Sequence, residues 1–161
     1  MGELRLSLLG QVAIDNDGVP VSGFKSSKAL ALLCYLAVTG RAHYRSILAG
    51  LLWGDLPEEN ARMNLRKALE NLRHLVGPHL VVTYQTVAFN RSQPYWLDVE
   101  QFETRANGDV AAAEIERLRE AIDLYQGDFL EGLEVREAAA FEEWLRLQRA
   151  SLRESASQVL R

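Results

Sequence analysis

The residues best suited to chemistry lie on a predicted helix spanning residues 57–76. Its apolar side chains recur every three or four positions, which predicts one buried stripe about 120° wide. That stripe consists of Ala61, Leu65, Ala68, Leu69, Leu72 and Leu75. The opposite face carries Asn60, Met63, Arg66, Lys67, Glu70, Arg73 and His74, with Asn64 and Asn71 beside it. Arg, Lys and Asn donate hydrogen bonds to base edges and phosphates, so this face is a candidate nucleic-acid reader. A solvated helix face is the alternative interpretation.

The other reactive residue types do not form a catalytic pattern. His43, His74 and His79 fall on different predicted elements and lack metal-ligand spacing. Neither a glycine-rich phosphate loop nor a nucleophile elbow occurs in the sequence. Cys34 lies in an apolar run with no basic neighbour to lower its pKa. We therefore expect a protein that is not an enzyme and that needs no cofactor or metal.

The elements around this helix predict an α+β fold. Gly and Asp turns separate short strand patterns at the amino terminus, and two further helices precede the polar-faced one. The predicted strands cover residues 4–8, 12–14 and 19–21, and the two helices cover residues 27–39 and 44–53. Strands are expected again at residues 80–83, 87–89 and 95–97. A hairpin directly after a polar-faced third helix is typical of a winged helix.

The charge distribution predicts two segments of different character. The 161 residues carry 18 Lys and Arg against 22 Asp and Glu, a net charge of −4. Residues 1–98 carry 10 basic and 8 acidic residues (+2), whereas residues 99–161 carry 8 and 14 (−6). We interpret the first segment as the DNA-reading domain and the second as a separate helical domain. No apolar run is long enough to cross a bilayer and no signal peptide is evident, so we expect no membrane partner and a cytoplasmic protein.

The acidic segment is predicted to be helical. Helices are expected at residues 110–125 and from residue 138 to the end, each with an apolar stripe. Two such helices look like one unit of a helical repeat, which normally stacks on neighbouring units.

Four stretches in order resemble the amino-terminal part of bacterial transcriptional activators of the antibiotic-regulatory-protein (SARP) type. They are Leu51-Leu52-Trp53-Gly54-Asp55, Asn64-Leu65-Arg66-Lys67-Ala68-Leu69-Glu70-Asn71-Leu72-Arg73, Tyr95-Trp96-Leu97-Asp98-Val99 and Tyr125-Gln126-Gly127-Asp128-Phe129-Leu130. The resemblance implies an OmpR-type winged helix with a four-stranded amino-terminal sheet, three helices and a carboxy-terminal hairpin. It also implies that a partial bacterial transcriptional activator domain, built of tetratricopeptide-like helices, follows.

The resemblance also implies a set of DNA contacts. The base-facing positions are Met63, Arg66, Lys67, Glu70 and Asn71. Arg73 and His74 fall at phosphate-contact positions, and Tyr84, Gln85 and Thr86 form the wing tip, within a hairpin wing at residues 80–97. From their charge, Lys28, Arg41, Arg45, Arg73 and Arg91 are further phosphate candidates.

These observations predict a sequence-specific DNA-binding regulator that activates transcription. The resemblance implies double-stranded DNA with direct repeats as the target, bound as a homodimer. It also implies RNA polymerase as a candidate partner of the loop at residues 53–57, although we expect Trp53 itself to fill the core. The alternative is a protein-interaction module in which the acidic helices bind a partner and the winged half no longer binds DNA.

Overall fold

The described chain is an α+β structure. A computed structural model describes residues 2–107 and 114–160. The strands are β1 (Leu4–Ser7), β2 (Ala13–Asn16), β3 (Val19–Pro20), β4 (His43–Tyr44), β5 (Leu80–Val82), β6 (Thr86–Phe89) and β7 (Tyr95–Leu97). The helices are α1 (Ser27–Thr39), α2 (Arg45–Trp53), α3 (Glu58–Val76), α4 (Asp98–Ala106), α5 (Glu114–Leu124) and α6 (Ala139–Val159), and a 3₁₀ turn, Gly77–His79, follows α3.

The amino-terminal sheet has four strands in the order β3-β2-β1-β7. Its first three strands follow from the alternation and turns of the sequence. The fourth strand corrects the prediction that the wing extends to residue 97. Tyr95–Leu97 leaves the hairpin and pairs in parallel with β1, where Leu4 lies opposite Tyr95 and Leu6 opposite Leu97. The wing is therefore the shorter hairpin β5-β6. Strand β4 pairs with the other edge of β6.

The three helices between the sheets supply most of the core of the amino-terminal half. Helix α1 begins where the Ser26 hydroxyl accepts a hydrogen bond from the Ala29 N–H, and it ends at Gly40 with a left-handed backbone (φ 67°). It is buried on most faces, as its apolar run predicts. Helix α2 begins one residue later than predicted because His43 and Tyr44 pair with β6. Trp53, at the end of α2, is only 6% exposed and fills the core as expected.

The helical segment packs against the amino-terminal half through one continuous hydrophobic core. Aromatic rings link the two halves: Trp144 of α6 lies 4.8 Å from Tyr35 of α1 and 5.6 Å from Phe129, measured between ring centroids. Phe129 also bridges to Leu9, just beyond β1. The expected helix start at residue 110 lies outside the described residues, and α5 is described from Glu114. The division into domains at residues 98 and 99 stays a prediction.

A buried carboxylate joins the two halves at their covalent junction. Asp98, the first residue of α4, is 4% exposed. Its Oδ1 and Oδ2 accept the Leu8 N–H at 2.8 and 2.9 Å, and Oδ2 also accepts the Leu9 N–H at 2.8 Å. Burial raises the pKa of Asp98, although backbone N–H groups of Leu8, Leu9 and Val99 oppose that shift. The start of α4 is thereby held against the end of β1.

Candidate nucleic-acid interface

Helix α3 presents one buried face and one exposed stripe, as its periodicity predicts. Ala61, Leu65, Ala68, Leu69 and Leu72 are buried. The exposed stripe consists of Met63, Arg66, Lys67, Glu70, Arg73 and His74. From Met63 to His74 it runs about 16 Å along the helix axis, at 1.5 Å per residue. The major groove of B-DNA is about 12 Å wide and admits such a helix.

The cations of this stripe are not neutralised by the protein. Within residues 2–107 and 114–160, five ion pairs form, and Arg66, Lys67 and Arg73 belong to none of them. The exposed Arg62 beside the stripe pairs instead with Glu58 at 2.6 Å. Three cations and one acid, Glu70, therefore give the stripe a net charge of +2, with its basic side chains available to an external anion.

Asn71 does not take the predicted base-facing position. It is 6% exposed, and both ends of its amide are engaged by the loop that precedes α1. Its Oδ1 accepts the Lys25 N–H at 2.9 Å, and its Nδ2 donates to the Gly23 carbonyl at 3.0 Å. A side chain on the shoulder of the helix becomes internal because this loop covers it. Asn71 therefore positions the loop and cannot also read a base.

The contact between Asn71 and this loop also places Lys25 beside the stripe, a position that the sequence analysis did not predict. Lys25 lies with Lys67, Glu70, Arg73 and His74 around an open cleft of about 720 Å³. Nothing in the sequence around residues 21–26 indicates that this loop folds against α3. The one available signal was the position of Asn71 at the edge of the apolar stripe, since an amide that becomes buried there needs hydrogen-bond partners.

The wing tip is a tight turn closed by threonine side chains. The Thr83 N–H donates to the Thr86 carbonyl at 2.9 Å, and the Thr83 hydroxyl accepts the Thr86 N–H at 2.9 Å. Tyr84 is 93% exposed at the tip, and Gln85 is exposed beside it. Thr86 is half-buried, and its hydroxyl lies 2.8 Å from that of Thr83. Tyr84 and Gln85 thus project from the turn, whereas Thr86 helps to hold it.

Arg45 and Lys28 each contact another part of the protein. Arg45 donates from Nε and Nη2 to the Thr83 carbonyl at 3.2 and 3.0 Å, and its backbone N–H donates to the Gln85 carbonyl. It thereby ties the start of α2 to the wing. The Lys28 ammonium lies 5.7 Å from the centre of the Trp53 ring. Arg41 is exposed in the turn after α1.

Arg91 lies at the junction with the helical segment, and its role as a phosphate ligand stays a prediction. Its Nη1 pairs with Glu100 Oε2 at 3.1 Å, and its Nη2 donates to the Ala37 carbonyl at 3.4 Å. Its guanidinium also lies 5.7 Å from the centre of the Tyr95 ring. Because Glu100 already pairs with it, we rank Arg91 below the unpaired cations as a candidate DNA contact.

The other residues considered for chemistry are structural. His79 is buried with Nε2 2.8 Å from the Pro94 carbonyl, and His43 Nε2 lies 2.8 Å from the Thr39 hydroxyl. Complete burial raises the pKa of the Cys34 thiol to about 12. Across the described ranges, no group of three or more His, Cys, Asp or Glu could hold a metal ion. None of the helices in those same ranges combines the length and apolar character required to span a bilayer.

Comparison with solved structures shows a shared fold. The chain matches Mycobacterium tuberculosis EmbR, solved in complex with low affinity phosphopeptide, with a TM-score of 0.73 and 21% sequence identity. The chain has an EmbR-like fold. The match covers 99% of this chain and 44% of the EmbR chain, so this chain spans less than half the length of that neighbour. No protein-family model matches the sequence, and no curated protein matches it either.

The EmbR match extends through both halves of the chain. It therefore includes the helical segment as well as the sheets, α3 and the hairpin. At 21% identity the match shows a similar backbone fold but does not show that individual side chains have the same roles. The assignment of α3 as the interface thus depends on its own exposed stripe and on its uncompensated cations.

Proposed function

We propose that this chain is a sequence-specific DNA-binding transcriptional regulator of the SARP type, and that it activates transcription. In this proposal α3 enters the major groove and the hairpin β5-β6 contacts the flanking backbone. The observation that carries the proposal is the α3 stripe, where three cations are exposed together and have no acidic partner among the residues that the structure describes. The EmbR-like fold supports the arrangement assumed here, because the match extends over 99% of this chain and so includes α3, the hairpin and the helices that follow.

Each exposed side chain of the stripe has a specific chemical use in a groove. Arg66 and Lys67 can donate to the O6 and N7 acceptors of guanine, and Glu70 can accept from the cytosine amino group. Met63, 49% exposed, offers an apolar contact for a thymine methyl group. Arg73 and His74 lie in the last turn of the helix and suit phosphates beside the groove. Lys25 joins them on the same side.

The backbone contacts predict a measurable salt dependence. Lys25, Lys28, Arg41, Arg45 and Arg73 form the revised set of phosphate candidates, with Lys25 replacing Arg91. Five neutralised phosphates predict a slope of about −4.5 in a plot of log affinity against log salt. Direct-repeat operators, dimerisation on DNA and contact of the loop at residues 53–57 with RNA polymerase belong to the same proposal.

The test begins with selection of duplexes from a random pool by the full chain. Fluorescence anisotropy at fixed salt then compares Arg66→Ala and Lys67→Ala with Arg119→Ala, which removes the same charge from exposed α5. Loss of a base contact worth about 1–3 kcal/mol predicts roughly 5- to 150-fold weaker binding of the selected duplex. The α5 variant should bind within about twofold of the parent.

Two results would count against the proposal. One is failure to enrich any duplex, together with no salt-dependent affinity. That result would favour the alternative of a protein-interaction module. The other is unchanged affinity of both α3 variants for an enriched duplex, which would place the DNA on a different surface.

A further inference from the structure

The acidic helical segment contains a groove that is rich in arginine. Residues 99–161 carry eight basic residues, all of them Arg, and fourteen acidic ones. A groove of about 650 Å³ separates α6 from the loop that precedes it. Four of the eight arginines line it, namely Arg136, Arg146, Arg149 and Arg153, against only two acids, Glu134 and Glu142. Half of the segment's cations thus meet in one place, and two further acids beside the lining, Glu143 and Asp128, pair with Arg146 and Arg153.

The groove is built on one face of α6. Arg146, Arg149 and Arg153 are three and four residues apart, so they follow one another along the same side of the helix. Buried Leu145 and Val135 form apolar surface beneath them, and half-buried Leu133 lies on the loop side. The groove therefore combines a row of guanidinium groups with an apolar floor.

The protein holds two of these guanidinium groups in place. Arg149 donates from Nε to the Phe129 carbonyl at 2.8 Å and from Nη2 to the Leu130 carbonyl at 3.0 Å. Arg153 pairs with Asp128 through both Nε and Nη2. Each of these contacts leaves Nη1 of the guanidinium for another acceptor. Fixed donors lose little conformational entropy when a ligand binds.

The outer arginines remain accessible. The side chain of Arg146 is 66% exposed and that of Arg153 is 60% exposed, although each has one carboxylate partner. Arg136 is also exposed and belongs to none of the ion pairs in the described residues. Guanidinium forks match planar carboxylates better than isolated ammonium groups do. The unpaired guanidinium of Arg136 and the free Nη1 groups of Arg149 and Arg153 can therefore donate to carboxylates of a ligand.

We infer that this groove binds an extended acidic peptide segment of a partner protein, in which acidic and apolar residues alternate. Carboxylates on alternate residues of an extended chain lie about 6.6 Å apart. The rise along α6 from Arg149 to Arg153 is about 6 Å, which matches that spacing. The side chains between the carboxylates would face the opposite side, toward Leu133 and Val135. The inference is independent of the α3 stripe, since the two surfaces share no residue.

The test measures binding of a fluorescein-labelled peptide of alternating Glu and Leu to the full chain by anisotropy. A peptide of the same composition with its Glu and Leu residues in separate blocks, and an alternating Lys and Leu peptide, serve as ligand controls. The variants are Arg136→Gln, Arg146→Gln and their combination, with Arg119→Gln on α5 as the charge-matched control. Thermal melting of each variant checks that it is folded.

The alternating acidic peptide should bind the parent, more weakly at higher salt, and should bind the double variant about tenfold more weakly. Arg119→Gln should change its affinity less than twofold, and the two control peptides should bind more weakly than the alternating one. No binding to the parent, or equal binding to the double variant, would overturn the inference.

A parallel binding measurement with duplex DNA distinguishes this groove from the proposed DNA interface. If the groove variants lose affinity for a selected duplex instead of the peptide, the groove is a phosphate-contact surface and the inference is wrong. Lys67→Ala, which should weaken the duplex, should leave the peptide affinity unchanged. Failure of DNA binding by the parent would therefore leave the peptide result interpretable.

Discussion

Asp98→Ala should be among the most destabilising single substitutions at the surface between the two halves. The Leu8 and Leu9 N–H groups both donate to this carboxylate within 2.9 Å, and the residue is 4% exposed. Removing the carboxylate leaves two backbone donors without their acceptor. Each unsatisfied buried donor costs about 1–3 kcal/mol. Two such donors would together cost about 2–6 kcal/mol. Because some water can enter the vacated space, we expect the free energy of unfolding to fall by about 3 kcal/mol, near the lower end of that range.

The isosteric variant Asp98→Asn separates hydrogen bonding from charge. Its amide oxygen can still accept one N–H, while its amide nitrogen would oppose the other donor. Its neutrality also removes the cost of burying a charge, the cause of the raised pKa of Asp98. We therefore expect Asp98→Asn to lose about 1–2 kcal/mol, clearly less than Asp98→Ala.

Urea unfolding with a tryptophan fluorescence readout measures these differences, and thermal melting provides a second estimate. For a chain of this size, 3 kcal/mol corresponds to a Tm decrease of about 6–12 °C. The exposed Asp123→Ala on α5 is the matched control and should change stability by less than about 0.5 kcal/mol. Hydrogen exchange should show faster exchange at the Leu8 and Leu9 amides in Asp98→Ala. A loss below about 1 kcal/mol in Asp98→Ala, or equal losses in both variants, would refute this reasoning.

The pH dependence gives an independent check on Asp98. A carboxyl whose folded pKa is raised holds its proton to higher pH in the folded state than in the unfolded state. The stability of the parent relative to Asp98→Asn should therefore be greatest in acid. It should decline as the pH rises from about 3.8, the unfolded value, through the folded pKa. The opposite slope would show that the backbone hydrogen bonds outweigh burial.

Two further predictions concern buried polar side chains. Asn71→Ala should destabilise the fold by about 1–3 kcal/mol in chemical unfolding, since the Lys25 N–H and the Gly23 carbonyl lose their partners. It should also weaken duplex binding by displacing Lys25, whereas Lys25→Ala should weaken binding without loss of stability. Burial, with Arg41 nearby, lowers the pKa of His43, so thermal stability should fall as the pH drops below about 6.5. The His43→Gln variant should reduce that dependence, and an unchanged profile would exclude His43 as its source.

Local periodicity was sufficient to predict the buried and exposed faces of α3 but not the surroundings of the helix. The alternation of buried and exposed positions along α3 follows from 3.6 residues per turn, so Met63, Arg66 and Lys67 are exposed as the pattern predicts. Asn71 lies at the boundary between the two faces, where the period alone cannot decide. Its burial depends on a loop some 46 residues earlier, and no local pattern reports that contact.

Non-local pairing explains the other corrections. Tyr95–Leu97 has the composition of a strand, and a preceding hairpin makes it look like a continuation of the wing. Its partner is β1, about 90 residues away, and parallel pairing needs no turn that a sequence would reveal. The pairing of β7 with β1 also explains the position of Arg91. As the chain runs toward β7, it places Arg91 beside Glu100 of α4. The Arg groove was likewise not predicted, since its charges are dispersed among acids in the sequence.

The contrast between the two arginine- and lysine-bearing surfaces is the reason for proposing different ligands for them. On α3 the cations are exposed and lack carboxylate partners within the described residues, an arrangement that suits a continuous polyanion. In the groove the protein's own carboxylates and carbonyls already hold Arg146, Arg149 and Arg153. Such pre-paired guanidinium groups have less net charge to offer phosphates, yet they retain directed donors for a carboxylate. The net charge of −4 is thus compatible with the two sites that we propose, and the duplex and peptide measurements should respond to separate sets of substitutions.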